Sequence, residues 1–450
     1  MSENLEAKYG HLAEQYGERE FSPETNQEHE RLRQVARNII DCYDWQPGQE
    51  EFLIVTDTKV MAENPMMLKA LEFELTAQGK VSEAGKERTA ARLFKTMVTE
   101  ASPKSATPLN ETIGEAMRDR PVLIITSMSR SHSKETGTAI RGDTHAQRES
   151  IDQVVSSDKM RSLSERGMSE FPAEKLDRWG GRIPDDQWLK MKQLAKARGS
   201  RVISITKGHN PYDILTKGAV LENVENLRER AKNVSELMKD VKRVHITTPL
   251  GTDLWVPVRP DLTEIEDGNV NKPGRVANYP IGEWSCSPDW EGCEGRLVVD
   301  GPTGGNVNQD ILDKGKPLVL RIERGQIVAS DGGDEAHKKW KDYLDSGNNM
   351  KNDAYRVAEL GIGTNARALE EKPRKHWGSS EGEKKYGTVH VAVGSNGSFG
   401  RTPEDPNFNG AQVHCDMVIG LNRGGEPTVE CERKDGSTFK LIDNGQPIGY

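Results

Sequence analysis

Five residues in the second half of the chain carry donor types that bind and activate: Glu283, Glu359, His390, His414 and Asp416. His390 lies in GTVHVAVG, and His414 and Asp416 lie in QVHCDMVIG; both are β-branched runs ending in glycine, which reads as strand. Side chains alternate faces along a strand, so His414 and Asp416 point the same way, and Cys415 joins Val413 and Met417 on the other side. Val389, Val391 and Val393 form one apolar face, which turns His390 the opposite way. Imidazole with carboxylate suits zinc, iron, manganese or cobalt. A lone His-x-Asp is also an ordinary hydrogen-bonded pair. A second strand histidine, and Glu359 in the otherwise apolar AELGIG, favour the metal reading, because a carboxylate buried in such a run is costly unless it is paired or holds a cation. Glu283, in NYPIGEWSCSPDWEGCEGRLVVDG, sits in a Pro/Gly-bounded loop where a carboxylate can be aimed at a site.

The surrounding pattern gives the elements that must position these groups. EEFLIVTD, RPVLIITS and GSRVISIT are short buried strands separated by helical stretches, which indicates an α/β domain with a mainly parallel sheet. Val60–Ala77 has helical spacing, Gly79–Thr107 reads as a helix followed by a loop, and Gly218–Val241 as a long helix with Leu221, Val224, Leu227, Ala231, Val234 and Leu237 on one side. The pattern changes at Lys242. RVHITTPLGTDLWVPV reads as a hairpin, and short strands with Gly turns follow to Tyr450, with a helix around Asp334–Ser346 and a second leading into Glu359. The expected architecture is therefore an α/β N-terminal domain with a mainly parallel sheet, followed by a strand-rich α+β metal-binding domain. The boundaries are a helical extension over 1–45, the α/β domain over 46–241 and the α+β domain over 242–450.

With 450 residues, 34% of them hydrophobic, about two or three domains and a large core are expected without disulfide staples. A net charge of −9 argues against nucleic acid or an anionic membrane as the main partner. The sequence has no apolar run of the roughly 18 residues a membrane helix needs. The opening MSENLEAKYGHLAEQYGERE has no apolar segment of the kind a secretory signal requires. The five cysteines are widely spaced with no CxxC, so a reducing cytoplasm is the expected compartment.

The segments NYPIGE, AELGIG, HVAVG and HCD, in this order, resemble the aminopeptidase T / aminopeptidase S group of metalloaminopeptidases. The resemblance covers roughly Lys242–Gly420 and is looser before it, through the SRSHS loop and RERAKNVSELM. It implies that Glu283, Glu359, His390, His414 and Asp416 are ligands of one or two divalent cations, zinc, cobalt or manganese. Glu283 and Glu359 would also serve as catalytic carboxylates, and a metal-activated water would remove N-terminal residues from peptides. It also implies a peptide or small-molecule substrate and a second copy of the chain as partners. One departure matters: a tyrosine ligand of that family falls here on Gly397, with Tyr386 as a possible stand-in. A weakened second metal site opens the alternative of a single-metal enzyme of aromatic ring catabolism, using iron(II) at Glu359, His414 and Asp416. On that side the scaffold resembles dihydroxypyridine ring-cleaving dioxygenase and nitroanthranilate aminohydrolase. His132, His376, Trp284 and Trp290 are further candidates for lining a cleft, against a reading as loop and core residues.

Overall fold

The computed structural model describes residues 21–47, 49–57, 65–83, 86–89, 94–99, 116–125, 187–205, 215–304, 317–331, 335–347, 353–402, 404–411, 413–422 and 424–450. The chain divides into two compact units: Met1–Ile183, Lys190–Thr216 and Gly268–Tyr279 in the first, Pro184–Leu189, Lys217–Asp267 and Pro280–Tyr450 in the second.

In the first unit, helix α1 (Gln27–Asp41) is started by the Asn26 side chain, which accepts from the backbone N–H of Glu28 and His29. It buries Leu32, Val35, Ala36, Ile39 and Ile40 and packs on α2 (Pro65–Gln78). Strands β1 (Phe52–Asp57), β4 (Phe94–Thr99), β5 (Pro121–Ile125), β6 (Arg201–Ile205) and β10 (Val276–Asn278) form one parallel sheet in the order β10-β6-β5-β1-β4. Strands β2 (Lys80–Glu83) and β3 (Lys86–Thr89) form a separate hairpin. The parallel α/β expectation holds: β5 and β6 are buried along their whole length, β5 as a continuous apolar run.

Three expectations need correction here. Gly79–Thr107 is not helical where it is described; it holds β2, β3 and β4, and the β-branched Thr96, Val98 and Thr99 favour strand over helix. Residues 27–45 are no appendage, since the buried Tyr43 hydroxyl donates to Val122 O and accepts from Ile203 N at 2.9 Å, tying the exit of α1 to β5 and β6. The boundary expected after 241 falls after Thr216, and Gly268–Tyr279 returns to the first unit to supply its edge strand β10. The SRSHS loop with His132 lies outside the described residues.

After helix α3 (Gln187–Arg198), the main part of the second unit starts at Lys217 with a 3-10 turn at Gly218–Leu221 and helix α4 (Val224–Met238). Its larger sheet is antiparallel. It contains β7 (Val241–Thr247), β8 (Asp253–Pro257), β12 (Glu294–Val299), β13 (Leu318–Glu323), β14 (Gln326–Asp331), β18 (Thr428–Arg433), β19 (Thr438–Asp443) and β20 (Gln446–Pro447). Their order is β14-β13-β12-β8-β7-β18-β19-β20. The smaller sheet contains β9 (Thr263–Glu266), β11 (Glu283–Cys286), β15 (Val357–Gly363), β16 (Val389–Gly394) and β17 (His414–Ile419), in the order β17-β16-β15-β11-β9. One apolar core joins Val234 and Met238 of α4, inward residues of both sheets, and Ala336, Trp340 and Leu344 of α5 (Glu335–Gly347). Residues 353–356, directly before β15, form a turn rather than the expected helix. Among the described residues, no helix is long and apolar enough to cross a membrane.

The docking of α1 is testable. Tyr43→Phe leaves buried backbone groups of β5 and β6 without their shared hydroxyl, so it should destabilise the protein by about 1–3 kcal/mol. Urea denaturation checks this, and an unchanged midpoint would mean that residues 27–45 are not docked on the sheet.

Candidate metal centre

The smaller sheet of the second unit sorts its side chains by face. Trp284, Cys286, Leu360, Ile362, Val389, Val391, Val393, Cys415, Met417 and Ile419 all enter the apolar core. Alternation then puts Glu266, Glu283, Glu359, His390, His414 and Asp416 on the other face. Cross-strand pairing sets their spacing: Glu266 faces Glu283, Gly361 faces His390, Glu359 and Asp416 flank Ala392, and His414 pairs with Gly394. The register shifts between Val357 and Glu359. Val357 points into the core, and two residues later Glu359 would follow it there; the bulge re-aims the carboxylate to the polar face.

Glycine makes room for the imidazole. A Cβ on Gly361 would lie 1.9 Å from Cε1 of His390, so the ring lies flat across β15 only because that position has no side chain. From there His390 Nε2 stands 3.2 Å from Glu359 Oε1 and 3.6 Å from Glu283 Oε2. The other Glu359 oxygen is 2.9 Å from His414 Nε2, which is also 3.1 Å from Asp416 Oδ1. His414 Nδ1–H donates to the Ser395 carbonyl at 2.7 Å, which in the neutral ring leaves the Nε2 lone pair, a metal-ligating atom, facing the carboxylates. All five residues singled out in the sequence are thus brought together. They form two overlapping groups that share Glu359, namely Glu283–Glu359–His390 and Glu359–His414–Asp416, with donor atoms within 4.8 Å of one another in each. The first group is buried, while His414 and Asp416 are half-buried, so the site opens at their end.

The electrostatics follow from burial against close opposite charge. Burial alone would raise Glu359, but the imidazoles of His390 and His414 hold its carboxyl down to about 2. Burial would lower His390, and Glu359 and Glu283 instead hold it up at about 9. Glu283 is raised to about 7 by burial, with Lys384 and His390 pulling it back only in part. Two buried atoms, Glu283 Oε2 and His390 Nδ1, have no hydrogen-bond partner. A cluster of carboxylates and imidazoles with orphaned donor atoms fits a divalent cation of the borderline type.

Glu283 is not in a loop as expected. It begins strand β11, because Trp284 and Cys286 alternate into the core and Gly282, at φ +130, turns the chain into the strand. Sequence reading also missed Lys384. Its ammonium is buried and meets Glu283 Oε1, Glu266 Oε2 at 2.6 Å and Glu383 Oε1 at 3.2 Å. In GEKKYG it looks like one of many solvated lysines, and only the fold of 379–388 over β15 could reveal it.

The remaining candidates among the described residues do not reach the centre. Trp284 packs in the core on the opposite face of β11 from Glu283. Trp290 donates its indole N–H to Val357 O at 2.8 Å and lies under Arg356, so it is a packing residue. His376 lies on an exposed 3-10 turn. The Tyr386 hydroxyl is bound to the carbonyl of Tyr450, and Gly397 lies in a 3-10 turn and offers no side-chain donor. Cys415 is buried, with its thiol pushed up to about 11 by that burial.

Residues 188–418 match the family model described as 2,5-dihydroxypyridine 5,6-dioxygenase. A 2,5-dihydroxypyridine 5,6-dioxygenase of Pseudomonas putida is 27% identical over 183 residues, 40% of this chain and 48% of that protein. The alignment therefore spans about half the length of this curated relative. Among solved structures, 2,5-dihydroxypyridine dioxygenase from Pseudomonas putida KT2440 has a TM-score of 0.58 at 15% identity, covering 93% of this chain and 97% of that one. AmpT from Thermus thermophilus has a TM-score of 0.55 at 14% identity, covering 93% and 99%. At these identities the likeness to both structures is one of fold. The expected resemblance to metalloaminopeptidases thus rests on architecture, whereas the dioxygenase relation is carried by sequence.

The Gly361 contact gives a test of the site's geometry. Gly361→Ala should force the His390 ring off β15 and destabilise the protein by about 1–3 kcal/mol, as overpacking of a dense interior does. Thermal or urea denaturation reads this directly; a neutral substitution would mean that the ring does not lie across Gly361.

Proposed function

The chain belongs to the 2,5-dihydroxypyridine 5,6-dioxygenase family, and from that membership we propose that it is a single-cation oxidoreductase that opens a hydroxylated aromatic or N-heteroaromatic ring with dioxygen. The observation that carries this reading is the Glu359–His414–Asp416 group at the half-buried end of the carboxylate face, where a ring can approach a cation. Glu359, His414 and Asp416 would hold the cation, a donor set of one imidazole and two carboxylates. Such a set suits iron(II) with open positions. When bound, iron(II) would supply the redox chemistry that lets dioxygen react with the ring.

The chain's own residues supply position and proton handling. Ser395 O fixes the His414 ring, so Nε2 faces the cation position. Glu283 Oε1 is held by Lys384, and its other oxygen is unpaired. Burial raises the Glu283 carboxyl against the pull of Lys384 and His390, so it can hold a proton at the buried end of the centre. One O2 would be consumed per ring opened, and both of its atoms would enter the product.

A second reading, metal-dependent aminopeptidase, is favoured by the two overlapping donor groups that share Glu359, which is the layout a bridged cation pair uses. In that case zinc, cobalt or manganese would serve, with a bridging water as nucleophile.

The readings separate in one experiment. The iron(II)-loaded protein should consume oxygen with a member of a panel of dihydroxypyridines and hydroxy- or amino-substituted aromatic acids. Asp416→Ala should abolish that uptake together with cation binding while leaving the far-UV circular dichroism unchanged. Cleavage of short peptides under manganese, cobalt or zinc, with no oxygen consumed on any aromatic substrate, would overturn the oxygenase reading.

A further inference from the structure

Lys384 is a cationic side chain buried at the centre, and its position follows from the backbone. Lys384 O accepts from Asn365 N at 2.8 Å, and Lys384 N donates to Glu381 O at 3.1 Å. Gly363 lets this segment lie against β15, since a Cβ there would meet Lys385 O at 2.0 Å and Lys384 C at 2.8 Å. The ammonium is thereby placed at the Glu283 end of the carboxylate face, away from the half-buried Asp416 end. It divides the two oxygens of Glu283: Oε1 goes to Lys384 and Oε2 is left facing His390.

We propose that the Lys384 ammonium takes the place of a second divalent cation, so that the Glu283–Glu359–His390 group stays free of metal and the centre holds one ion. Three carboxylates, Glu266, Glu283 and Glu383, surround the ammonium and are buried with it. Buried carboxylates need a compensating positive charge, and here a covalently tethered one is built in. A divalent ion held by Glu283, Glu359 and His390 would share Glu283 with the ammonium. Two positive charges would then meet across one carboxylate in a buried setting, where like charges repel strongly. The Glu359–His414–Asp416 group lies at the other end, where the described residues place no such competitor. Lys384 is thus a specificity residue for the number of cations, and through that number for the choice between one-cation and bridged-pair chemistry. The inference rests on the single-cation reading above.

The test measures bound metal rather than turnover. The full chain is titrated with Mn(II), and anaerobically with Fe(II), with elemental analysis after gel filtration. Wild type should bind one ion per chain. Lys384→Met keeps the length of the side chain and removes its charge, so it should bind two. The double variant Lys384→Met/Glu283→Gln removes a ligand of the released site and should return to one. Lys384→Met should also lose thermal stability in chelator, and Mn(II) should raise its melting temperature by more than it raises that of wild type. Two ions in wild type, or one in a folded Lys384→Met, would overturn the role of Lys384 while leaving a metal centre in place. A Lys384→Met chain that Mn(II) does not rescue would also overturn it, because the added ion should restore the missing charge. No metal in wild type would sink the single-cation reading together with this inference. Ring opening without the change from one ion to two would sink this inference alone.

Discussion

Glu266, Glu283, Glu359 and Asp416 share one face of a five-stranded sheet, and that much negative charge is tolerable out of water only with positive charge among it. The opposite face leaves no freedom in the matter. Trp284, Leu360, Ile362, the three valines of β16 and Met417 belong to one apolar core of the second unit, so no strand can slip by one residue without exchanging carboxylates for apolar side chains. The register that makes the core also makes the site. His390 and His414 counter Glu359 at two oxygens, Lys384 counters Glu283, and the orphaned Glu283 Oε2 and His390 Nδ1 mark where compensation is incomplete.

Much of this was legible in the sequence because strand alternation is a local rule. Val389, Val391 and Val393 declare which way His390 turns, and Cys415 between His414 and Asp416 does the same for β17. What could not be read depends on contacts distant in the chain. Glu283 looked like a loop residue because its strand, Glu283–Cys286, is short and lies between glycine and proline. The role of Gly361 is set by a ring on the neighbouring strand. Lys384 is separated by 101 residues from Glu283 and lies in a polar stretch with no periodicity, so nothing local distinguishes it from a solvated lysine.

The division into units was misread for a related reason. Helix α4 follows three buried parallel strands and continues an α/β alternation, which assigns it to the domain before it. Its Val234 and Met238 nevertheless join the core of the second unit. Conversely, Val276–Asn278 lies deep in the strand-rich half of the sequence but pairs with β6 of the first sheet. Three residues are too few to show a period. An edge strand that returns from another unit is decided by backbone pairing, and the sequence carries no local mark of it.

The same five donors therefore do not fix a chemistry by themselves. Arranged as two overlapping groups around Glu359, they can serve a bridged cation pair, which activates water, or one cation with open positions, which suits dioxygen. Fold likeness extends to solved structures on both sides of that divide, at nearly equal scores and nearly equal identity, so architecture does not choose between them. The choice lies in the charge placed beside the donors. A fixed ammonium at the Glu283 end leaves the open, half-buried end as the place where added positive charge gains most, next to Asp416 and within reach of a substrate. The sequence match to the 2,5-dihydroxypyridine 5,6-dioxygenase family concerns ancestry and the buried lysine concerns electrostatics, and the proposed one-cation centre draws on both.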